Sequence, residues 1–85
     1  MRAFHPELTN SVRRIQKTLS EPDRIIRSTS DPDAQLFYRF FRDSPVGSKF
    51  FCVVVKADKD DYFVVTAYFT DKVKRGEQLW PENSR

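Results

Sequence analysis

The sequence predicts an α+β domain: an N-terminal helix packed on a three- to four-stranded antiparallel sheet, with a short helical turn near the C-terminus. Three observations carry this. Apolar residues recur at helical spacing early in the chain, at Leu8, Val12, Ile15 and Leu19. Three later segments are dense in β-branched and aromatic residues. The links between those segments are short, which favours antiparallel neighbours. Eighty-five residues leave room for one domain. Its core is expected over residues 4–80, with 81–85 frayed.

The helix is expected over residues 6–19. Pro6 suits a first helical turn, where its missing N–H has no partner to lose, and Glu7 complements the positive end of the helix dipole. Ser20-Glu21-Pro22-Asp23 ends it, because proline cannot continue a helix. Residues 24–28, RIIRS, form a short strand whose polar ends place it at a sheet edge. After the STSDPD loop, QLFYRFF at 35–41 is the next strand, and Pro45 and Gly47 mark the turn that follows. FFCVVVK at 50–56 is apolar almost throughout and reads as a central strand covered on both faces. A polar hairpin turn at 57–61 leads into the last strand, 62–70. Asp71 as N-cap and Gly76 as stop predict one helical turn over 71–76, after which Gln78-Leu79-Trp80 packs back on the domain.

Composition removes several function classes. Hydrophobic content of 39% and aromatic content of 14% are too high for a disordered chain. No run approaches the ~20 apolar residues of a membrane span, and the first residues lack the apolar stretch of a signal peptide. A soluble cytoplasmic protein is therefore expected. Cys52, the single cysteine, lies in the apolar run and reads as a buried thiol. One histidine and one cysteine cannot build a zinc set, the acidic turn Asp58-Lys59-Asp60-Asp61 lacks the glycine and glutamate of a calcium loop, and two isolated glycines make no phosphate loop. No metal or cofactor is expected. A net charge of +3 tilts toward an anionic partner.

The last strand, FVVTAYFT at 63–70, carries its hydroxyls on one side. By alternation Phe63, Val65, Ala67 and Phe69 share one face, and Val64, Thr66, Tyr68 and Thr70 the other. A single helix covers one face of the sheet, yet Phe, Val and Tyr occur on both. The second face therefore meets a partner chain or forms an aromatic-lined ligand surface.

Four pieces recur together in order: His5-Pro6-Glu7-Leu8, the L-x-x-P-D-x-I-I segment from Leu19 to Ile26, Phe37-Tyr38-Arg39, and VVTAYFT from Val64 to Thr70. Together they span nearly the whole chain, and the set resembles the small nuclease-like domains of the barnase–EndoU–colicin–RelE group, especially their phage and polymorphic-toxin branches. The resemblance implies a helix on a four-stranded antiparallel sheet whose free face holds a metal-independent ribonuclease site. It also implies RNA as substrate, cleaved by attack of the 2′-hydroxyl on the adjacent phosphate, and a cognate inhibitor protein as a possible partner.

That chemistry needs a base, a donor for the leaving oxygen and positive charge on the phosphate. His5 is the one side chain with an ordinary pKa near neutrality, and the helix dipole beside it favours the neutral imidazole. It is the candidate base; the bland reading is a helix-entry residue packed on Phe4. Arg39 is the candidate phosphate clamp, or else a guanidinium paired with a carboxylate. Thr66 and Thr70 are candidate positioning hydroxyls, and Tyr68 a stacking or proton-donating group; in the plain alternative all three are ordinary strand residues. Lys56, Arg13 and Lys17 complete the candidate nucleic-acid contacts, or are solvated charges. Three readings stand at this point: a ribonuclease, a non-catalytic protein-binding or homo-oligomerisation module, and a single-stranded RNA binder.

Overall fold

A computed structural model of the chain describes residues 6–44 and 47–81. Within them, helix α1 (Pro6–Ser20) is followed by strands β1 (Arg24–Arg27), β2 (Ala34–Ser44), β3 (Gly47–Asp58), β4 (Asp61–Thr70) and β5 (Gln78–Trp80). The strands form one sheet in the order β4-β3-β2-β1-β5, every neighbouring pair antiparallel. The class is α+β, with one helix and five strands among the described residues.

β2, β3 and β4 are the long strands, and their alternation sorts the core into two layers. On the helix side Phe51, Val53 and Val55 pack with Phe37, Phe41, Ala67 and Phe69 against Ile15 and Leu19 of α1. Phe41, Phe51 and Phe69 meet edge to face across three strands, with centroids 6.2 and 4.9 Å apart. Arg14 lies over the last ring at 5.2 Å, so the helix is rolled to bring its cationic residue onto Phe69. Thr18 of α1 is fully buried and lies about 120° round the helix from Val12. Val12, expected in the apolar stripe, is accordingly 51% exposed.

The opposite face carries Ile26, Leu36, Tyr38 and Cys52, flanked by Phe50, Val54 and Tyr68. It is covered by the chain itself. β4 and β5 are opposite edges, so residues 71–77 cross the sheet from one edge to the other. Four interstrand steps amount to roughly 19 Å, within reach of seven extended residues. Val73 of this strap packs into the Ile26–Leu36–Tyr38–Cys52 cluster, and the Lys74 N–H donates to the Tyr38 hydroxyl at 3.1 Å.

The strap corrects the expected helical turn over 71–76. A helical turn shortens the chain to about 1.5 Å per residue and would not reach the far edge. Asp71 pairs with Lys49 instead of capping a helix. Gly76 is a close-approach residue: a Cβ there would lie 2.4 Å from the Arg27 carbonyl oxygen and 2.7 Å from Ile26 Cγ2. By crossing the sheet the strap delivers β5, which takes the edge expected of β1 and raises the strand number to five. Asp23 locks the start of β1, donating its N–H to the Tyr38 carbonyl and accepting from the Phe40 N–H, both at 2.7 Å.

Candidate functional site

The sheet separates the sequence-predicted site residues. Arg39 lies on the helix side. Its Nη1 donates to the Glu21 carbonyl at 2.6 Å, its guanidinium lies 5.9 Å from the Phe41 ring centre, and the Glu21 carboxylate is 4.0 Å away. Glu21 is itself held by Lys17 at 3.0 Å, and that bond keeps its carboxyl below the usual range. Arg39 thus closes the C-terminal end of α1, where carbonyls lack helical partners.

Thr66, Tyr68 and Thr70 pair with Val54, Cys52 and Phe50, which places them on the strap side. Arg39 therefore does not meet the threonines. The Thr70 hydroxyl closes a local turn, donating to the Lys72 carbonyl at 3.1 Å and accepting its N–H at 3.3 Å. Tyr68 is half-buried beside the Cys52 thiol, and burial pushes its hydroxyl up to about 12. Tyr38, on the other side of that thiol, is raised to about 12 by the same cause. Cys52 is fully buried and its thiol is also pushed up, mainly by burial, so it is no nucleophile. Thr66 is exposed. Lys56 pairs with Asp31 at 2.9 Å, which raises the lysine and lowers the carboxyl. Arg13 is exposed on α1, and His5 lies outside the described residues. Among the described residues no three His, Cys, Asp or Glu side chains converge to hold a metal ion, and no helix is long and apolar enough to cross a membrane.

A different feature dominates the surface. Among the described residues β4 has one neighbour, β3, and its other edge is open. Tyr62, Phe63, Val64 and Val65 are 68%, 48%, 42% and 53% exposed in an unbroken row. A bulge lies at the end of this row. Thr66 opposes Val54 and Val64 opposes Val55, so Val65 has no partner of its own. The extra residue reverses the alternation expected for 63–70: Val64 shares the helix side with Val55 and Ala67, rather than the face of Thr66.

Beside this row an open hollow of about 370 Å³ is lined by Leu19, Gln35, Phe37, Val55, Tyr62, Phe63 and Val64. It exists because the sheet extends beyond the footprint of its single helix. A second hollow, of about 470 Å³, lies between the α1 end and β5, where Trp80 donates to the Pro22 carbonyl at 3.3 Å. The signal for the first was present in the sequence. Four consecutive apolar residues, Tyr62 to Val65, cannot all turn inward from an alternating strand. What the described residues offer together is an apolar strand edge beside a mostly apolar hollow. Comparison with protein-family models, curated proteins and solved structures finds no match to this chain.

Proposed function

We propose that this chain is a non-catalytic protein-binding module that takes an extended strand along its β4 edge. The single observation behind this is the row Tyr62–Val65, four large apolar side chains 42–68% exposed on a strand with one edge free among the described residues. Contiguous apolar surface of this kind marks interaction sites. An open edge offers unpaired N–H and C=O groups to an incoming strand, and the adjoining hollow supplies a pocket for its side chains. Selection of extended peptides from a displayed library tests it. Binders should perturb the backbone amide NMR signals of 61–70 and lose affinity when Phe63→Lys is introduced. Binders that perturb only residues far from β4 would refute the reading.

A second reading, RNA binding without cleavage, draws on Lys72, Lys74 and Arg75, exposed side by side on the strap near Thr70. Salt-sensitive RNA binding abolished by Lys74→Ala and Arg75→Ala together would favour it. The ribonuclease chemistry implied by the sequence resemblance requires base and clamp on one phosphate. Release of 2′,3′-cyclic phosphate ends from RNA in chelator, lost in a folded Arg39→Ala protein, would restore that reading against both.

A further inference from the structure

Resting on the binding-module reading, we infer that the strand received by the β4 edge is the β4 edge of a second copy, antiparallel across a twofold axis. The pairing sets Asp61 opposite Thr70, Tyr62 opposite Phe69, Phe63 opposite Tyr68, Val64 opposite Ala67 and Val65 opposite Thr66.

The register follows from the bulge. Directly opposed residues in an antiparallel pair share a face. Tyr62 and Val64, opposite Ala57 and Val55, lie on the helix side, as do Ala67 and Phe69, opposite Val53 and Phe51. A strand of unbroken alternation would put 62 and 64 in phase with 68 and 70. The bulge puts them in phase with 67 and 69 instead. Self-pairing that spans both halves of the strand therefore keeps one continuous helix-side face only when residues of one half meet residues of the other with this offset. Among the registers allowed, the one given pairs the whole of Asp61–Thr70 with itself.

Chemistry agrees at each position. From Tyr62 to Thr70 the strand holds no charge and no proline, the usual guards of a solitary edge. The bulge is a third such guard, and here its phase suits self-pairing. Tyr62 and Val64 gain Phe69 and Ala67 of the second copy, and Phe63 gains its Tyr68. Charge is complementary at both ends by symmetry. Asp61 faces Thr70 of the other copy on the strap side, and the Thr70 hydroxyl bonds the Lys72 backbone at 3.1 and 3.3 Å. The acidic turn Asp58-Lys59-Asp60-Asp61 of each copy therefore comes alongside Lys72 of the other on the strap side. The opposite sheet edge, β5, has three residues and offers no comparable template.

Sedimentation equilibrium of the full chain tests this, with Val65→Lys, Asp61→Arg and Asp61→Arg/Lys72→Glu. The parent should dimerise at micromolar concentration. Val65→Lys, placing two cations beside the axis, should be a folded monomer by circular dichroism, since Val65 is half exposed already. Asp61→Arg should weaken dimerisation about tenfold through its two symmetric contacts, and adding Lys72→Glu should recover most of that loss. A parent that stays monomeric while extended peptides still bind β4 overturns this inference and leaves the binding module standing. Failure of both the dimer and the peptides overturns both. A dimer indifferent to Val65→Lys overturns the proposed interface.

Discussion

Arg39 decides between a catalytic and an architectural account of the helix-side charges, and its replacement by alanine is quantitatively predictable. The guanidinium makes one charge-assisted hydrogen bond to the Glu21 carbonyl at 2.6 Å, a bond type that contributes roughly 1.5–3 kcal/mol. Its position 5.9 Å from the Phe41 centre adds about 0.5–1 kcal/mol. The Glu21 carboxylate at 4.0 Å adds little, because that group is exposed. Water can reach the carbonyl once the side chain is gone, which returns part of the loss. The expected destabilisation is therefore about 2 kcal/mol, equivalent to a fall of roughly 8–16 °C in Tm for a domain of this size. Arg39→Lys should recover less than half, since an ammonium cannot both cover Phe41 and bond the carbonyl in one geometry. Urea unfolding followed by circular dichroism measures both. Stability of Arg39→Ala within about 0.5 kcal/mol of the parent would refute the capping role and free Arg39 for a phosphate.

Two further outcomes follow from the strap and from α1. Gly76→Ala should destabilise by about 1–3 kcal/mol, because the new methyl meets the Arg27 carbonyl oxygen and Ile26 Cγ2 well inside contact distance; thermal unfolding checks this, and an unchanged Tm would mean the strap does not lie against β1. Thr18→Val should be neutral or stabilising by up to about 1 kcal/mol in urea unfolding, since the Thr18 hydroxyl is fully buried with no hydrogen-bond partner among the described residues, and a clear loss of stability would show that it has one.

The helix and the three long strands were legible because each shows its own period or a dense run of β-formers. Pro22 and the polar turns marked their ends. The strap was not legible. Asp71 and Gly76 have the identities of a helix cap and stop, but what governs them is distance: the chain must cross four strand spacings to reach β5. Arg39 illustrates the same limit at the site. Its residue type suits phosphate binding, while its face depends on strand pairing, which places it opposite Phe51 under α1. Thr66 and Thr70 share the face expected from alternation, because they lie on the C-terminal side of the bulge. Val64, on the other side of it, does not. No local signal distinguishes Val65 as the extra residue; the bulge arises from how β4 meets β3.

Association and stability are coupled in a molecule built this way. One helix on a five-stranded sheet leaves a small core, and a chain of this length buries only about 60–65% of its unfolded surface. Pairing of β4 with a second β4 would cover apolar surface that the monomer leaves in water. The unfolding midpoint of the parent should then rise with protein concentration. Above the dimer dissociation constant, each tenfold increase contributes about 0.7 kcal/mol per chain, or roughly 3–6 °C. Val65→Lys removes the pairing and should unfold at a concentration-independent temperature. This contrast separates a dimer that supports the fold from one that merely forms at high concentration. It also identifies Val65→Lys as the background in which the Arg39 measurement reports the monomer alone. If parent and Val65→Lys midpoints are both independent of concentration, the β4 edge contributes nothing to stability through a second copy.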